Sequence, residues 1–396
     1  MGLAQRVQYF SESVIREMTR LAAKYDAINL GQGMPDFDAP AEVKEAACRA
    51  IHDGYNQYAI TWGAPPLRRA IAEKARRFNG IDCDPDTNIT VCCGATECMM
   101  ATMMALVDPG DEVIIFQPFY ENYGPDALLT GAKPVWVHLN PPDWSFDADE
   151  LRKAFGPKTR AIIVNTPNNP TGHVFSRAEL DLIASLCIEH DAYALADEIY
   201  EYINYSDKPH LSIATLPGMQ DRTVTISGLS KTFSITGWRL GYCIAPAELT
   251  NGIRKAHDFL TVGAPHPLQM AGAAAMALPD SYYQYLKDGY RQRKDLFLPY
   301  LREAGFQFND VEGAYYVMTD ISRFGATNDT EFVNWMIREI GVSAVPGSSF
   351  YRPSERGHTQ VRFMFAKKDE TLKAAGERLL RIRDRLKASA PTWLAK

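Results

Sequence analysis

The most informative segment of the chain, residues 227–241, reads Ser227-Gly-Leu-Ser-Lys231-Thr-Phe-Ser-Ile-Thr-Gly-Trp-Arg239-Leu-Gly241. It continues an apolar run, residues 223–227, that is typical of a buried strand. A lysine lies here among small hydroxyl and glycine residues, and an arginine follows eight positions later. Because most lysines are exposed, Lys231 taken alone would be assigned to the surface. Its neighbours in the chain favour a functional loop at a strand end instead.

Outward from this loop, residues 88–245 alternate short β-rich runs with longer helical stretches. Several of these runs are apolar throughout, as expected for strands covered on both faces. This alternation predicts an α/β domain built on a mostly parallel, seven-stranded sheet. The predicted strands are residues 89–92, 113–116, 134–138, 161–165, 192–196, 223–227 and 241–245.

The remaining sequence predicts a smaller α+β domain that draws on both ends of the chain. Its predicted helices are residues 11–25, 280–303, 329–340 and 370–387, and its strand-like runs are 314–319, 342–345 and 360–365. We therefore assign residues 1–45 to an N-terminal arm and part of the small domain. Residues 46–285 form the predicted large domain, and residues 286–396 the small C-terminal domain.

Composition excludes several classes of protein. Hydrophobic residues make up 46% and charged residues 23% of 396 residues, which is ordinary for a globular chain and unlike a disordered one. A net charge of −6 without a basic cluster gives no indication of nucleic-acid binding. No apolar run is long enough for a membrane helix. Seven cysteines and no apparent signal peptide predict a cytoplasmic location.

The common cofactor and metal motifs are absent from the sequence. No G-x-G-x-x-G follows a predicted strand, and there is no P-loop. Cys92, Cys93 and Cys98 cluster without a second pair at zinc-like spacing, so they are interpreted as small apolar residues and no metal is predicted.

Two further motifs follow predicted strands. Asn165-Thr-Pro-Asn-Asn169-Pro-Thr-Gly172 comes after one strand, and Asp197-Glu-Ile-Tyr200 ends another. Ligands of open α/β sheets bind at the carboxyl ends of strands. Turn chemistry alone also explains the first motif, and a helix cap explains Asp197.

In this order and spacing, the three motifs resemble the class I and II aminotransferases of pyridoxal-phosphate fold type I. The branch that includes aspartate, aromatic and kynurenine aminotransferases is the most similar. The resemblance runs from Asn29-Leu-Gly-Gln-Gly33-Met-Pro-Asp-Phe37 through Gly94-Ala-Thr-Glu97 to Val361-Arg362-Phe363. It implies an enzyme that moves an amino group from an L-amino acid to a 2-oxo acid by a ping-pong mechanism, with pyridoxal 5′-phosphate held as a Schiff base.

The resemblance also implies the roles of the residues that hold the cofactor. Lys231 is the candidate for the Schiff base and for proton transfer at the substrate Cα. Asp197 matches the carboxylate at the pyridine nitrogen, and Tyr200 and Asn169 match the positions at the ring hydroxyl. Tyr120 matches the aromatic residue that stacks on the ring, although a core aromatic is an almost equal alternative.

The phosphate requires a cation and backbone donors. Arg239 can bind it bidentately, and Gly94, Ala95 and Thr96 open a predicted helix whose N-terminus favours an anion. The family often has a serine three residues before the lysine, where this chain has Gly228. Ser227 and Ser230 flank that position, and which of them replaces the missing hydroxyl is left open.

The substrate and the partner subunit are implied in the same way. Substrate-binding candidates are Arg362 for the α-carboxylate, Gly33 and Asn169 beside it, and Ile15, Trp62 and His266 for the side chain. Ile15 is equally well explained as a core residue of the first helix. Tyr58 matches the tyrosine that reaches the phosphate of the other subunit, which implies a homodimer with shared active sites.

Two other hypotheses change the function: the first keeps the cofactor, and the second keeps only the fold. The same scaffold and lysine also support a β-lyase or an oxygen-dependent amino-acid oxidase. The second is a binding or regulatory protein that has this fold but no catalytic activity. The acidic charge balance and the intact set of Lys231, Asp197, Tyr200 and Arg239 argue against it.

Overall fold

A mostly parallel sheet forms the centre of the molecule. The computed structural model describes residues 2–8, 10, 12–389, 391 and 393. Its strands, in chain order, are β1 Ile28–Asn29, β2 Ile89–Cys92, β3 Glu112–Gln117, β4 Lys133–Asn140, β5 Ser145–Phe146, β6 Thr159–Asn165, β7 Tyr193–Asp197, β8 Thr223–Gly228, β9 Gly241–Ile244, β10 Tyr316–Asp320, β11 Val342–Ser343, β12 Val345–Pro346 and β13 Gln360–Met364.

The order of strands in the central sheet is β2-β9-β8-β7-β6-β3-β4-β5. Strands β8, β7, β6, β3 and β4 pair in parallel, whereas β9 runs antiparallel to both of its neighbours. All seven predicted strands are present, so the predicted fold class is confirmed. The eighth strand, β5, has two residues and pairs antiparallel with β4. Two residues are too few to produce an alternating sequence pattern, so β5 was not predicted.

Helices cover both faces of the sheet and build the rest of the molecule. They are α1 Val14–Lys24, α2 Ala41–His52, α3 Pro65–Lys74, α4 Ala95–Leu106, α5 Tyr123–Thr130, α6 Ala148–Ala154, α7 Arg177–Glu189, α8 Ala247–Thr261, α9 His266–Met276, α10 Asp280–Ala304, α11 Asp329–Trp335, α12 Asp369–Leu379 and α13 Ile382–Ser389. Short 3₁₀ and π segments add Gln5–Val7, Ala75–Asn79, Ile213–Thr215, Thr236–Trp238, Ser322–Phe324, Met336–Ile340, Gly347–Phe350 and Ser354–Gly357. None of the described helices is long and apolar enough to cross a membrane.

Two predicted elements of the small domain are each divided in the structure. The single helix predicted over residues 370–387 is wrong, because α12 and α13 are separated at residues 380–381 without a glycine or proline to mark the break. The predicted strand 342–345 is also two strands. Strand β11 pairs with β1 from the N-terminal part of the chain, and β12 pairs with β13.

Separate hydrophobic cores pack around these elements. One core face of the central sheet contains Val113 and Ile163, and the opposite face contains Ile114 and Ile162. Another core joins Met18 and Leu30 from the N-terminal part to Phe363 and Leu372 near the other end. The small domain is therefore assembled from both ends of the chain. The boundaries at residues 45 and 285 stay a prediction, and residue 285 lies inside α10.

Candidate active site

Three neighbouring parallel strands carry polar side chains to one cavity. Asn165 ends β6, Asp197 ends β7, and Lys231 lies in the loop that follows β8. All three line a cavity of about 480 Å³. The carboxyl ends of neighbouring parallel strands meet at one edge of the sheet, which is where ligands of such sheets bind.

Asp197 is a buried carboxylate with defined hydrogen bonds. Its Oδ2 accepts from the hydroxyl of Tyr123 at 2.6 Å, and its Oδ1 accepts from the backbone N–H of Ile199 at 3.2 Å. Burial is the largest effect and raises the pKa of Asp197, while these two donors and the charge of Lys231 oppose it. A cationic ring nitrogen beside this carboxylate would favour its charged form.

Lys231 presents an amine whose charge is disfavoured. Its Nζ donates to the carbonyl of Gly33 at 3.2 Å, and no described carboxylate lies within ion-pair distance of it. Burial lowers the pKa of Lys231, and the charges of Arg239 and Arg362 act in the same direction. A lysine with a lowered pKa is more readily available as the free amine that attacks an aldehyde.

Helix α4 and Arg239 form an anion cradle at one end of the cavity. Ala95 and Thr96, in the first turn of α4, line the cavity, and Gly94 precedes them with φ of 89°. A Cβ at position 94 would lie 2.2 Å from Nη2 of Arg239, so glycine is required for the guanidinium to approach. The guanidinium donates only to carbonyl oxygens in the described structure, those of Thr236 and Cys93. Its charge is available to a ligand anion.

Arg362 provides a second cation at the other end. It is fully buried, and its Nη1 donates to Oδ1 of Asn169 at 2.8 Å, while Nη2 donates to the carbonyl of Gly31 at 2.7 Å. Its buried Nε has no hydrogen-bond partner among the described residues. A buried guanidinium that meets only neutral acceptors is suited to an anionic ligand.

The structure brings most of the predicted site residues to this one cavity. In addition to Arg239 and Arg362, it is lined by Ile15, Gly33, Ala95, Thr96, Tyr120, Asn169, Asp197, Tyr200, Ser230 and Lys231. Ile15 is 9% exposed and also packs in a hydrophobic core with Met318 and Phe350. The two explanations offered for Ile15 are therefore compatible.

Ser227 is not brought to the cavity, contrary to expectation. Its hydroxyl is buried and donates to Oε1 of Glu201 at 2.8 Å, and neither residue lines the cavity. Of the two serines that flank Gly228, only Ser230 lines the cavity. A Cβ at Gly228 would lie 2.8 Å from the carbonyl oxygen of Leu240, so a serine has no room there.

Three other predicted residues lie outside the cavity of their own chain. Tyr58 is 85% exposed. Trp62 packs against Arg254, whose guanidinium carbon lies 4.9 Å from its ring centroid. Nδ1 of His266 lies 3.1 Å from the carbonyl oxygen of Gln57. The roles expected for these three residues stay predictions.

The cavity residues that sequence reasoning missed include Tyr123, Asp126 and Tyr316. Tyr123 and Asp126 lie one helical turn apart on α5, directly after the quoted Tyr120, so helical spacing could have indicated them. Burial raises the pKa of Asp126 to about 7, and its Oδ2 has no hydrogen-bond partner among the described residues. Tyr316 lies on β10, and an aromatic residue in a predicted strand does not by itself indicate that its side chain lines a cavity.

Comparisons with known proteins agree with this site. Residues 25–379 match the family model described as aminotransferase class I and II. A probable N-succinyldiaminopimelate aminotransferase of Mycobacterium tuberculosis is 40% identical over 94% of this chain and 97% of its own length. The methionine aminotransferase of Escherichia coli is 39% identical over 93% of this chain and 95% of its own. Human kynurenine–oxoglutarate transaminase 1 is 37% identical, with coverage of 92% and 94%.

Solved structures agree as well. The structure of N-succinyldiaminopimelate aminotransferase from Mycobacterium tuberculosis has a TM-score of 0.93 at 40% identity, over 96% of this chain and all of that one. Aspartate aminotransferase from Thermus thermophilus with maleate has a TM-score of 0.90 at 34% identity, over 96% of this chain and all of that one.

The fold and the site thus define a fold type I enzyme whose candidate lysine, Lys231, lies in the loop after a central strand and lines the cavity. The chain belongs to the class I and II aminotransferase family. It is an aminotransferase of the pyridoxal-phosphate-dependent kind, and the relatives support amino-group transfer rather than β-elimination or oxidation. Its substrates are accordingly an amino acid and a 2-oxo acid.

Proposed function

We propose that this chain binds pyridoxal 5′-phosphate in the cavity around Lys231 and uses it to transfer amino groups between L-amino acids and 2-oxo acids. The observation that carries the proposal is the shared cavity of Lys231, Asp197 and Arg239, a reactive amine, a buried carboxylate and an available guanidinium. The cofactor needs these three groups for its aldehyde, its ring nitrogen and its phosphate.

The cradle beneath Gly94 supports the fit to this cofactor. The first turn of α4 offers backbone N–H donors to a phosphate, and Arg239 offers a cation that can bind it bidentately. Tyr200 and Asn169 line the same cavity and would hold the ring oxygen, while Tyr120 would lie against the ring. When bound, the cofactor supplies an aldehyde for the amine and a ring that withdraws electrons from the substrate α-carbon.

Lys231 has two tasks in this proposal. Its amine would hold the cofactor through the aldehyde, and its lowered pKa favours the uncharged form needed for that bond. With a substrate in place, the free amine of Lys231 would be the group that takes the proton from the substrate Cα and carries it during the transfer. Asp197 would face the ring nitrogen and favour its protonated form, and the hydrogen bond from Tyr123 lowers the pKa of Asp197 against the effect of burial.

Arg362 orients the substrate in the proposed reaction. Its buried Nε lacks a partner, and its two Nη groups are fixed by Asn169 and Gly31. A substrate α-carboxylate paired with this guanidinium would be held in one orientation at low entropic cost. The amino group of the same substrate would then face Lys231.

We propose an amino donor with an extended, uncharged side chain. Ile15, Met34 and Tyr120 line the cavity, and they offer apolar surface. Apart from the groups assigned to the cofactor and to the α-carboxylate, the charged residues that line the cavity are Arg16, Glu121 and Asp126, so a second substrate carboxylate would meet two carboxyl groups for one cation. The relatives named for methionine and for kynurenine support this preference.

We further propose that the active unit is a homodimer. The end of α8 exposes Phe259, Leu260 and Val262, with Phe259 93% exposed. Apolar side chains exposed in this way are typical of an interface. Tyr58, also exposed, would then reach the phosphate of the other subunit.

Seven free thiols support a reducing, cytoplasmic location.

The test of this function is a spectroscopic half-reaction. Purified protein loaded with pyridoxal 5′-phosphate should show a yellow absorbance band. Methionine or kynurenine added without oxygen should bleach the band, and a 2-oxo acid should restore it. Aspartate should act far more slowly. The proposal is wrong if no amino acid bleaches the band, if bleaching releases ammonia, or if the reaction goes on only after oxygen is admitted.

A further inference from the structure

Tyr316 connects two functional groups that the sequence treats as separate. Its hydroxyl lies 3.0 Å from the hydroxyl of Tyr200, the candidate at the cofactor ring oxygen. The guanidinium carbon of Arg362 lies 4.3 Å from the centroid of its ring. Tyr316 is 2% exposed and lines the cavity. A single buried side chain therefore touches a cofactor residue and the candidate substrate-carboxylate residue.

The backbone at Gly33 leaves a fitted space for this hydroxyl. A Cβ at position 33 would lie 1.9 Å from Oη of Tyr316, so only glycine allows the phenol to occupy its position. The carbonyl of the same glycine accepts from Nζ of Lys231 at 3.2 Å. The side chain of Tyr316 therefore lies next to Tyr200 and Arg362, and its hydroxyl lies beside the glycine whose carbonyl binds Lys231.

The direction of the bond between the two hydroxyls follows from the proposed function. If the hydroxyl of Tyr200 donates its proton to the cofactor ring oxygen, its own oxygen is left to accept. The hydroxyl of Tyr316 is then the donor to Tyr200. Hydrogen bonds in such a chain polarise one another, so the second donor strengthens the first. Arg362 above the ring of Tyr316 adds positive charge that favours donation.

We propose that Tyr316 is a positioning residue that acts through Tyr200 to stabilise the anionic ring oxygen of the bound cofactor. This inference rests on the proposed cofactor site. It adds a third residue to the pair that holds the ring oxygen. It also links that oxygen to Arg362, because pairing of this guanidinium with a substrate carboxylate reduces the positive charge over the phenol. Binding of a substrate carboxylate is thus transmitted to the cofactor oxygen.

The experiment compares Tyr316→Phe with wild type as the loaded holoenzyme. The visible absorbance of the bound cofactor is titrated with pH, because its pKa reports the stability of the anionic oxygen. Loss of one donor should raise this pKa by roughly 0.5 to 1 pH unit. The turnover number should fall while KM for the amino donor changes little, since the phenylalanine ring still packs under Arg362.

Tyr205→Phe is the matched control. Tyr205 is a buried tyrosine of the same core, and its hydroxyl donates to the carbonyl of Ala314 instead of a cavity residue. This variant should leave the absorbance pKa at the wild-type value. Tyr316→His retains a ring donor and should recover part of the wild-type value, which separates loss of the donor from a packing defect.

A double-mutant cycle tests whether Tyr316 acts through Tyr200. The effect of Tyr316→Phe should largely disappear in a Tyr200→Phe background. The inference is overturned if Tyr316→Phe has the wild-type absorbance pKa, or if its effect persists unchanged without the Tyr200 hydroxyl. Failure of the proposed function would appear differently, as a wild-type protein with no Lys231-dependent absorbance band.

Discussion

The hydroxyl of Tyr123 lies 2.6 Å from Oδ2 of Asp197 and is its buried side-chain donor. Burial raises the pKa of Asp197, and Tyr123 counteracts this rise. Helix α5 begins at Tyr123, so the helix sets the position of the donor beneath the end of β7. The charge of the carboxylate thus depends on a residue from a different segment of the chain.

Tyr123→Phe should shift the pH dependence of the turnover number. Without the donor the pKa of Asp197 rises further, so the carboxylate is protonated at a higher pH and its support of the ring nitrogen is lost there. The acidic limb should move upward by roughly 0.5 to 1 pH unit. Tyr351→Phe, which removes a hydroxyl bonded to Gln360 outside the cavity, is the control. An unchanged acidic limb in Tyr123→Phe would contradict the assigned role.

Arg362→Lys should weaken substrate binding without loss of the cofactor. Lysine cannot reproduce the fork that bonds Asn169 and Gly31 and leaves Nε for a ligand. We expect kcat/KM to fall roughly 10- to 100-fold for every amino donor. The absorbance of the bound cofactor should persist. Arg352→Lys, at an exposed arginine outside the cavity, should leave kcat/KM near wild type, and an equal loss there would indicate a general effect.

Lys74→Met should destabilise the fold behind the active site. Nζ of Lys74 lies 2.5 Å from Oε1 of Glu201, and both side chains are buried. Burial is the largest effect on Glu201, yet the charges of Lys74 and His210 hold its pKa below the usual range. Leaving this carboxylate unpaired should lower the unfolding free energy by about 3 to 5 kcal/mol.

The readout for Lys74→Met is denaturant unfolding of the holoenzyme at neutral pH. Lys44→Met removes the lysine of an exposed ion pair with Asp38 and should leave stability nearly unchanged. Because Glu201 also accepts from Ser227, just before the Lys231 loop, Lys74→Met should lower the turnover number as well. Equal stability of the two variants would show that the buried pair is not required.

Phe259→Asp should dissociate the proposed homodimer. A charge placed at a side chain that is 93% exposed in the monomer but buried in an interface opposes association. Sedimentation should give the chain mass of 44.3 kDa instead of twice that mass. Tyr285→Asp, at another strongly exposed aromatic residue, should remain dimeric. A wild-type protein that sediments as a monomer with full activity would contradict the shared site.

Seven of the eight strands of the sheet were predictable because each is a short, mostly apolar run between turn residues. The places of Asp197, which ends such a run, and of Lys231, in the loop after another, were predictable for the same reason, whereas their roles were implied by the family resemblance. Tyr316 was not, because nothing in a strand sequence shows which aromatic faces a cavity. Ser227 was expected at the cofactor, but its hydroxyl bonds Glu201, and only Ser230 in the loop after β8 lines the cavity; the sequence around Gly228 does not show which of the two serines faces it.

The small domain was less predictable for a topological reason. Strand β11 pairs with β1 more than 300 residues earlier in the chain, and β12 beside it pairs with β13. Local sequence contains no information on such partners. The break between α12 and α13 has no glycine or proline, and Leu379 and Ile382 on either side are equally buried, so the hydrophobic pattern continues across it.

Reduction of the holoenzyme with sodium borohydride tests the central claim most directly. Borohydride fixes an aldehyde cofactor on the lysine that holds it, and mass analysis of peptides then identifies the lysine. The account predicts the mass of pyridoxal phosphate on the peptide that contains Lys231, and no labelled peptide in Lys231→Ala. Label on another lysine, or no label on a protein that still transfers amino groups, would contradict it.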